Sequence, residues 1–165
     1  EYDSPSRLGA DRWFAALGAA TQYFGNSIVM VQFGTATTVD EINFERDRYV
    51  FLGGRIAPGI DVMFMSLQER IPALNVSSGE LVDFPKNTED AVTTGIIECQ
   101  IGLIKNAIEK LKKKSDYAPV IVVLTGGGIE SYEALHQCAV DHMPRAHINT
   151  NLVLKGLALE AQNKR

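Results

Sequence analysis

Apolar residues recur every three or four positions from about Asp11 to Phe24, at Trp13, Leu17, Ala20 and Phe24, which predicts an amphipathic helix closed by Gly25-Asn26. The period then changes. Three stretches, Ile28 to Phe33, Thr37 to Phe44 and Tyr49 to Ile56, are joined by short polar turns and predict an antiparallel meander. Pro58-Gly59 opens a second helical segment from Ile60 to about Arg70, with Met63, Phe64 and Leu67 on one side, and a loop runs through Asn75 to Pro85. From Thr88 to Leu111, the positions Val92, Ile96, Ile97, Ile101, Ile104, Ile108 and Leu111 sustain a long amphipathic helix. Asn87 is its expected cap, with Asp90 three residues on in a weakened capping-box role. The continuous apolar run Val120 to Leu124 predicts a buried strand ending at Thr125-Gly126-Gly127-Gly128, after which helical periodicity resumes from Ile129 to Val140. A short strand near Ala146 to Ile148 and a helix from Asn151 to Ala161 follow.

A meander followed by strands alternating with helices predicts an α/β fold, a mixed sheet covered by helices. It fits one half of an actin-like, ribonuclease-H-like architecture. Composition agrees: 165 residues with 45% hydrophobic and 22% charged residues can build one domain with its own core. The net charge of -4, with basic residues scattered apart from Lys112-Lys113-Lys114, leaves no footprint for nucleic acid or an anionic membrane. No apolar run approaches the roughly 20 residues of a membrane span.

Cys99 and Cys138 have no ligand-type spacing and are expected to be buried free thiols in a reducing cytosol. His136, His142 and His147 match no helical metal pair and are expected at the surface or in packing. The chain starts at Glu1 without Met or a signal pattern, which suggests a processed or excised piece of something longer.

Four short segments could carry chemistry. Gly34-Thr35-Ala36-Thr37-Thr38 offers backbone N–H groups at a glycine bend and several hydroxyls, a set suited to phosphate oxygens, although an ordinary hairpin would use the same residues. Thr125-Gly126-Gly127-Gly128 joins a buried strand to a helix, where bare backbone can approach a nucleotide or simply make a tight turn. Leu8-Gly9-Ala10-Asp11-Arg12 places a carboxylate beside a guanidinium at a helix start, where Asp11 could equally be the N-cap. Thr88 is a further first-turn residue.

Read in order, Tyr2 with Pro5, Gly9-Ala10-Asp11-Arg12, Gly34-Thr35-Ala36-Thr37-Thr38-Val39-Asp40, Gly53-Gly54-Arg55-Ile56-Ala57-Pro58-Gly59, Asn87-Thr88 with Gly95, and Thr125-Gly126-Gly127 resemble type III pantothenate kinases over essentially the whole chain. The resemblance implies ATP-dependent phosphorylation of pantothenate, the first step towards coenzyme A, with a divalent cation such as Mg2+, in the cytoplasm and as a homodimer. It implies that Asp11 is the carboxylate accepting or orienting the hydroxyl proton. Tyr2, Gly9, Ala10, Arg12 and Thr88 would hold pantothenate, Thr88 from the partner subunit. Gly34, Thr35, Thr37 and Thr38 would hold ATP phosphates, with Gly126 and Gly127 bordering the nucleoside.

The implied family fold has two actin-like domains, of which this chain resembles the second. The first, with its D-x-G-N-type metal and phosphate strand, has no counterpart in the sequence. The chain by itself is therefore expected to be inactive. Gln32 departs from the pattern. Many relatives place Asp there, near a K+ or NH4+ ion, and an amide could coordinate such an ion only as a dipole. Two alternatives stand beside the kinase reading: a non-catalytic accessory or regulatory homologue, and another actin-like small-molecule kinase.

Overall fold

The computed structural model describes residues 3–71, 74, 79–115, 118–131, 143 and 146–163. After a 3-10 turn at Pro5–Arg7 come α1 (Ala10–Gln22), β1 (Ser27–Phe33), β2 (Ala36–Glu45), β3 (Arg48–Pro58), α2 (Ile60–Arg70), α3 (Thr88–Lys114), β4 (Val120–Thr125), α4 (Gly128–Ser131), β5 (Ala146–Ile148) and α5 (Leu152–Asn163). The strands form one sheet in the order β3-β2-β1-β4-β5. The meander is antiparallel, whereas β4 runs parallel to β1 and β5 parallel to β4. This is the predicted mixed sheet.

Because side chains alternate across a strand, β1 serves two cores at once. Val29, Val31 and Phe33 pack with Ile96, Ile97, Ile101 and Ile104 of α3, and Met63, Phe64 and Leu67 of α2 close that side. Ile28 and Met30 point the other way, onto Ala15, Ala16 and Ala19 of α1 and Leu152 of α5. The α3 pattern and its cap are as predicted: Asn87 Oδ1 accepts from the Asp90 N–H at 2.8 Å, and Asn87 Nδ2 donates to Asp90 Oδ2 at 2.6 Å. Lys112 to Lys114 fall in the last turn, where cations complement the helix dipole.

Two expectations are corrected. Trp13, Leu17, Ala20 and Phe24 do not form the buried stripe of α1; Trp13 and Phe24 are exposed, and the core face is Ala15, Ala16 and Ala19. Crowding is the reason, since α1 also packs closely on α5: a Cβ on Gly18 would lie 2.3 Å from the Leu152 carbonyl oxygen, and one on Gly156 1.9 Å from that of Phe14. Only small residues tolerate such an approach, so the larger apolar residues of α1 turn aside and line a groove of about 520 Å³ with Ile42, Tyr49 and Phe51. Cys99, expected to be buried, is exposed, because it falls off the Ile96-Ile97-Ile101-Ile104 face of α3. Cys138, His136, His142 and most of the predicted 129–140 helix lie outside the described residues, while His147 stacks at a tilt on Tyr23 with ring centroids 4.9 Å apart.

Candidate active site at the strand ends

Parallel pairing sets Gln32 of β1 beside Thr125 of β4, so the C-terminal ends of these two strands lie together. Antiparallel pairing brings the start of β2 and the end of β3 to the same edge, with Ala36 opposite Pro58. Ligands of open α/β sheets bind outside such carboxyl ends. Here the Gly34-Thr35 turn, the Gly126–Gly128 turn and the start of α2 meet.

The packing among them is tight. Gly59 N–H donates to the Thr35 carbonyl at 2.9 Å. A Cβ on Gly126 would lie 2.2 Å from the Phe33 carbonyl oxygen, so only glycine lets the turn after β4 rest on the end of β1. Phe33, Gly34, Thr35, Thr37, Ile60, Asp61 and Gly128 enclose a cavity of about 210 Å³. That is smaller than the roughly 300 Å³ at which pockets for whole small molecules begin. It suits one end group of a ligand. Thr37 and Thr38 are buried, yet neither Oγ1 has a hydrogen-bond partner among the described residues. An unmade buried hydrogen bond costs about 1–3 kcal/mol, so these hydroxyls stand ready for an acceptor.

The sheet face under α1 carries the second group. Paired residues share a face, which puts Gln32, Thr38, Asp40 and Thr125 on the side of Ile28 and Met30. The N-cap of α1 is Gly9, not Asp11, and no side chain caps the helix. Asp11 lies one residue into the first turn, exposed, where a carboxylate complements the positive end of the helix. Its Oδ2 accepts a long hydrogen bond, 3.4 Å, from Gln32 Nε2. The carboxylate thus stands beside the strand that leads, two residues later, into the glycine-threonine turn.

Arg12 points the other way, into the protein. Its Nε donates to both carboxylate oxygens of Asp40 at 3.1 Å, its Nη2 makes a further short contact with Asp40 Oδ1, and both side chains are buried. Gly54 makes room for the pair: a Cβ there would lie 1.9 Å from Asp40 Oδ1 and 2.6 Å from Arg12 Nη2. Burial pushes the Asp40 carboxyl above its ordinary value of 3.8, with the hydrogen bond and charge of Arg12 pulling it back. The pair fastens the start of α1 to the middle of β2. Sequence reasoning gave Asp40 and Gly54 no role, although a carboxylate in the apolar run around Val39 and Ile42 was a signal that a cation must cover it.

Gly9, Ala10, Asp11, Gln32, Gly34, Thr35, Thr37, Thr38, Gly126 and Gly127 are therefore gathered at one edge of the sheet, on its two faces. Thr88 is not. The C-terminal end of α3 meets the start of β1 through Ser27 and Ser115, whose hydroxyls are 2.9 Å apart, and Gln100 reaches the strand-end edge by donating to the Pro58 carbonyl at 3.1 Å. Thr88 lies a further twelve residues up the helix, about 18 Å from Gln100 along the helix axis at 1.5 Å per residue. Tyr2 lies outside the described residues.

A sheet of this order, with the candidate groups gathered at its strand ends, has an actin-like fold. The structure superposes on a non-polymerisable quadruple mutant of pCBH ParM with a TM-score of 0.53, at 12% identity over 94% of this chain and 53% of that one. On an archaeal actin homologue the TM-score is 0.52, at 16% identity over 96% of this chain and 54% of the other. A protein described as a Baf family transcriptional activator, from Campylobacter jejuni, gives 0.65 at 23% identity, covering 99% of this chain and 69% of its own. These likenesses define the fold.

Sequence defines the family. The type III pantothenate kinase profile matches residues 1–110. The type III pantothenate kinase of Dechloromonas aromatica is 40% identical over 156 residues, which cover 94% of this chain and 60% of that protein; the one from an Azoarcus species is 38% identical over 160 residues, 97% and 56%. The chain belongs to the type III pantothenate kinase family. It spans about three-fifths of the length of these curated relatives.

Proposed function

We propose that this chain is the second actin-like domain of an ATP-dependent pantothenate kinase, and that the strand-end edge is where the terminal phosphate of ATP meets the pantothenate hydroxyl. The observation that carries this reading is the convergence of Asp11, through Gln32, with a glycine-threonine turn whose buried Thr37 and Thr38 hydroxyls lack partners among the described residues. Asp11 would orient the hydroxyl and take its proton as the phosphoryl group transfers. A loose phosphoryl-transfer transition state asks mainly for positioning and charge compensation, so an exposed carboxylate serves. The Gly34–Thr38 turn would donate to the phosphates, and Gly126 and Gly127 would leave open backbone for the nucleoside.

The fit of a cation follows from the donors. Among the described residues no cluster of three His, Cys, Asp or Glu side chains could hold a metal, but Asp61 lines the phosphate-sized cavity. Mg2+ on nucleotide phosphates needs only one or two protein carboxylates, its other ligands being phosphate and water. Asp61 and a first domain would supply them. Gln32 Oε1, buried and without a partner among the described residues, is the atom a K+ or NH4+ ion would use, as a dipole only.

Thr88, remote from the edge, would reach pantothenate in the other subunit of a homodimer. Arg12, held by Asp40, would act on the substrate mainly by fixing where α1 begins. Among the described residues no helix is long and apolar enough to cross a membrane. The cytoplasmic placement rests on the family alone.

The test is ADP release with ATP, magnesium and pantothenate, by the protein that carries this chain together with a first domain and by the 165-residue chain alone. The expected result is pantothenate-dependent turnover by the former and negligible turnover by the latter, because electrostatic stabilisation needs both sets of phosphate contacts. Robust turnover by the chain alone would overturn the division of labour. Turnover with another hydroxylated acid but not with pantothenate would overturn the substrate.

A further inference from the structure

The Asp11 carboxylate has a hydrogen-bond donor on one side and a bare glycine on the other. Gln32 Nε2 donates to Oδ2 at 3.4 Å, from a side chain planted in β1 between the buried Val31 and Phe33. On the other side, a Cβ built on Gly9 would come within 2.6 Å of Oδ1, so a larger residue there would turn the exposed carboxylate out of this position. Beneath both, the buried Arg12–Asp40 pair fixes the first turn of α1 against β2. An exposed carboxylate on a helix end would otherwise sample several rotamers.

From this geometry we infer that Gln32 and Gly9 are positioning residues for Asp11, aiming its carboxylate at the strand-end edge where the phosphate turn lies. The inference rests on the kinase reading and deepens it. A neutral amide does this with its nitrogen, which is a donor to the carboxylate; a carboxylate at position 32 would offer only acceptors and would repel Asp11 unless a cation lay between. Gln32 thereby joins the two halves of the site, since the nitrogen of its amide donates to Asp11 while its backbone, paired with Thr38 and Thr125, belongs to the strands that form the phosphate turn.

The two arms of the test separate this inference from its parent. In the first, the side-chain amide resonances of Gln32 are assigned by their loss in Gln32→Met and followed in the native chain and in Asp11→Asn by 1H–15N NMR. The bond predicts a shift on Asp11→Asn that exceeds the shift of other side-chain amides; an unmoved resonance would overturn the inference whatever the activity. In the second, steady-state kinetics of the active kinase are measured for Gln32→Met and Gly9→Ala. Mis-aiming Asp11 predicts a fall in kcat of about tenfold or more with the pantothenate KM little changed, because reacting groups displaced by about 1 Å lose rate before they lose binding. Native kcat in both variants, or a loss confined to KM, would overturn the positioning role while leaving the kinase reading intact. A native enzyme with no pantothenate kinase activity would bring down both.

Discussion

Replacing Arg12 with Met removes the cation from a buried pair and keeps most of the side-chain volume. Asp40 has no exposed surface and the Arg12 side chain is 6% exposed, so Arg12→Met leaves a carboxylate in a site that water does not reach. Breaking a buried pair from one side costs about 3–5 kcal/mol. Against a total stability of about 5–15 kcal/mol for an ordinary domain, that is a large fraction. With a urea m-value of about 2 kcal/mol/M, the midpoint should drop by roughly 2 M. Urea unfolding followed by far-ultraviolet circular dichroism measures it. The double variant Arg12→Met/Asp40→Val removes both charges and should recover most of the loss, since well-packed apolar replacements of buried pairs are about neutral. A loss below about 1 kcal/mol in Arg12→Met, or a double variant no more stable than the single, would refute the claim that this pair anchors α1 to the sheet.

Asp40 also gives the fold a definite pH dependence. Its folded value lies above 3.8, so the native state holds the proton more tightly than the unfolded chain. The stability this contributes is complete below 3.8 and is lost as pH rises through the folded value. The stability difference between the native chain and the double variant should therefore shrink as pH rises from 3.5 towards 7 in urea titrations, by roughly the free energy of one shifted group. Asp11→Asn should lower kcat of the complete kinase by about a hundredfold while the unfolding midpoint holds, because Asp11 is exposed and Gly9 is the N-cap. Gly156→Ala, which puts a Cβ 1.9 Å from the Phe14 carbonyl oxygen, should push α5 off α1 and cost about 1–3 kcal/mol in thermal or urea unfolding.

The order of helices and strands was readable because hydrophobic period depends on neighbours only a few residues apart. The long α3, its Asn87 cap and the three-stranded meander follow from such local patterns. What local pattern could not supply was the competition between partners for one helix face. In α1 the Trp13-Leu17-Ala20 spacing looks like a core stripe, yet the contact with α5 through Gly18 and Gly156 selects Ala15, Ala16 and Ala19 instead. The same gap hid the role of Arg12. Lying 28 residues from Asp40, it becomes a buried partner only when β2 passes beneath α1 and Gly54 leaves the space. Motif order drew attention to Asp11, Gln32 and the threonine turn, but it did not show that the Gln32 amide reaches the Asp11 carboxylate, since those residues lie 21 apart and meet only when α1 packs on β1.

In the proposed kinase the Gly34–Thr38 turn binds ATP phosphate while Asp11 faces pantothenate, two substrates on two sides of one strand end. Thr37 tests it most directly, because its buried hydroxyl has no partner among the described residues and lines the phosphate-sized cavity. Initial rates of the complete kinase, measured over crossed ATP and pantothenate concentrations for the native enzyme and Thr37→Val, give both Michaelis constants at once. A hydrogen bond to a charged phosphate is worth about 1.5–3 kcal/mol, so the ATP KM should rise about tenfold or more with the pantothenate KM unchanged. An unaltered ATP KM, or a change confined to pantothenate, would contradict that arrangement of the two substrates.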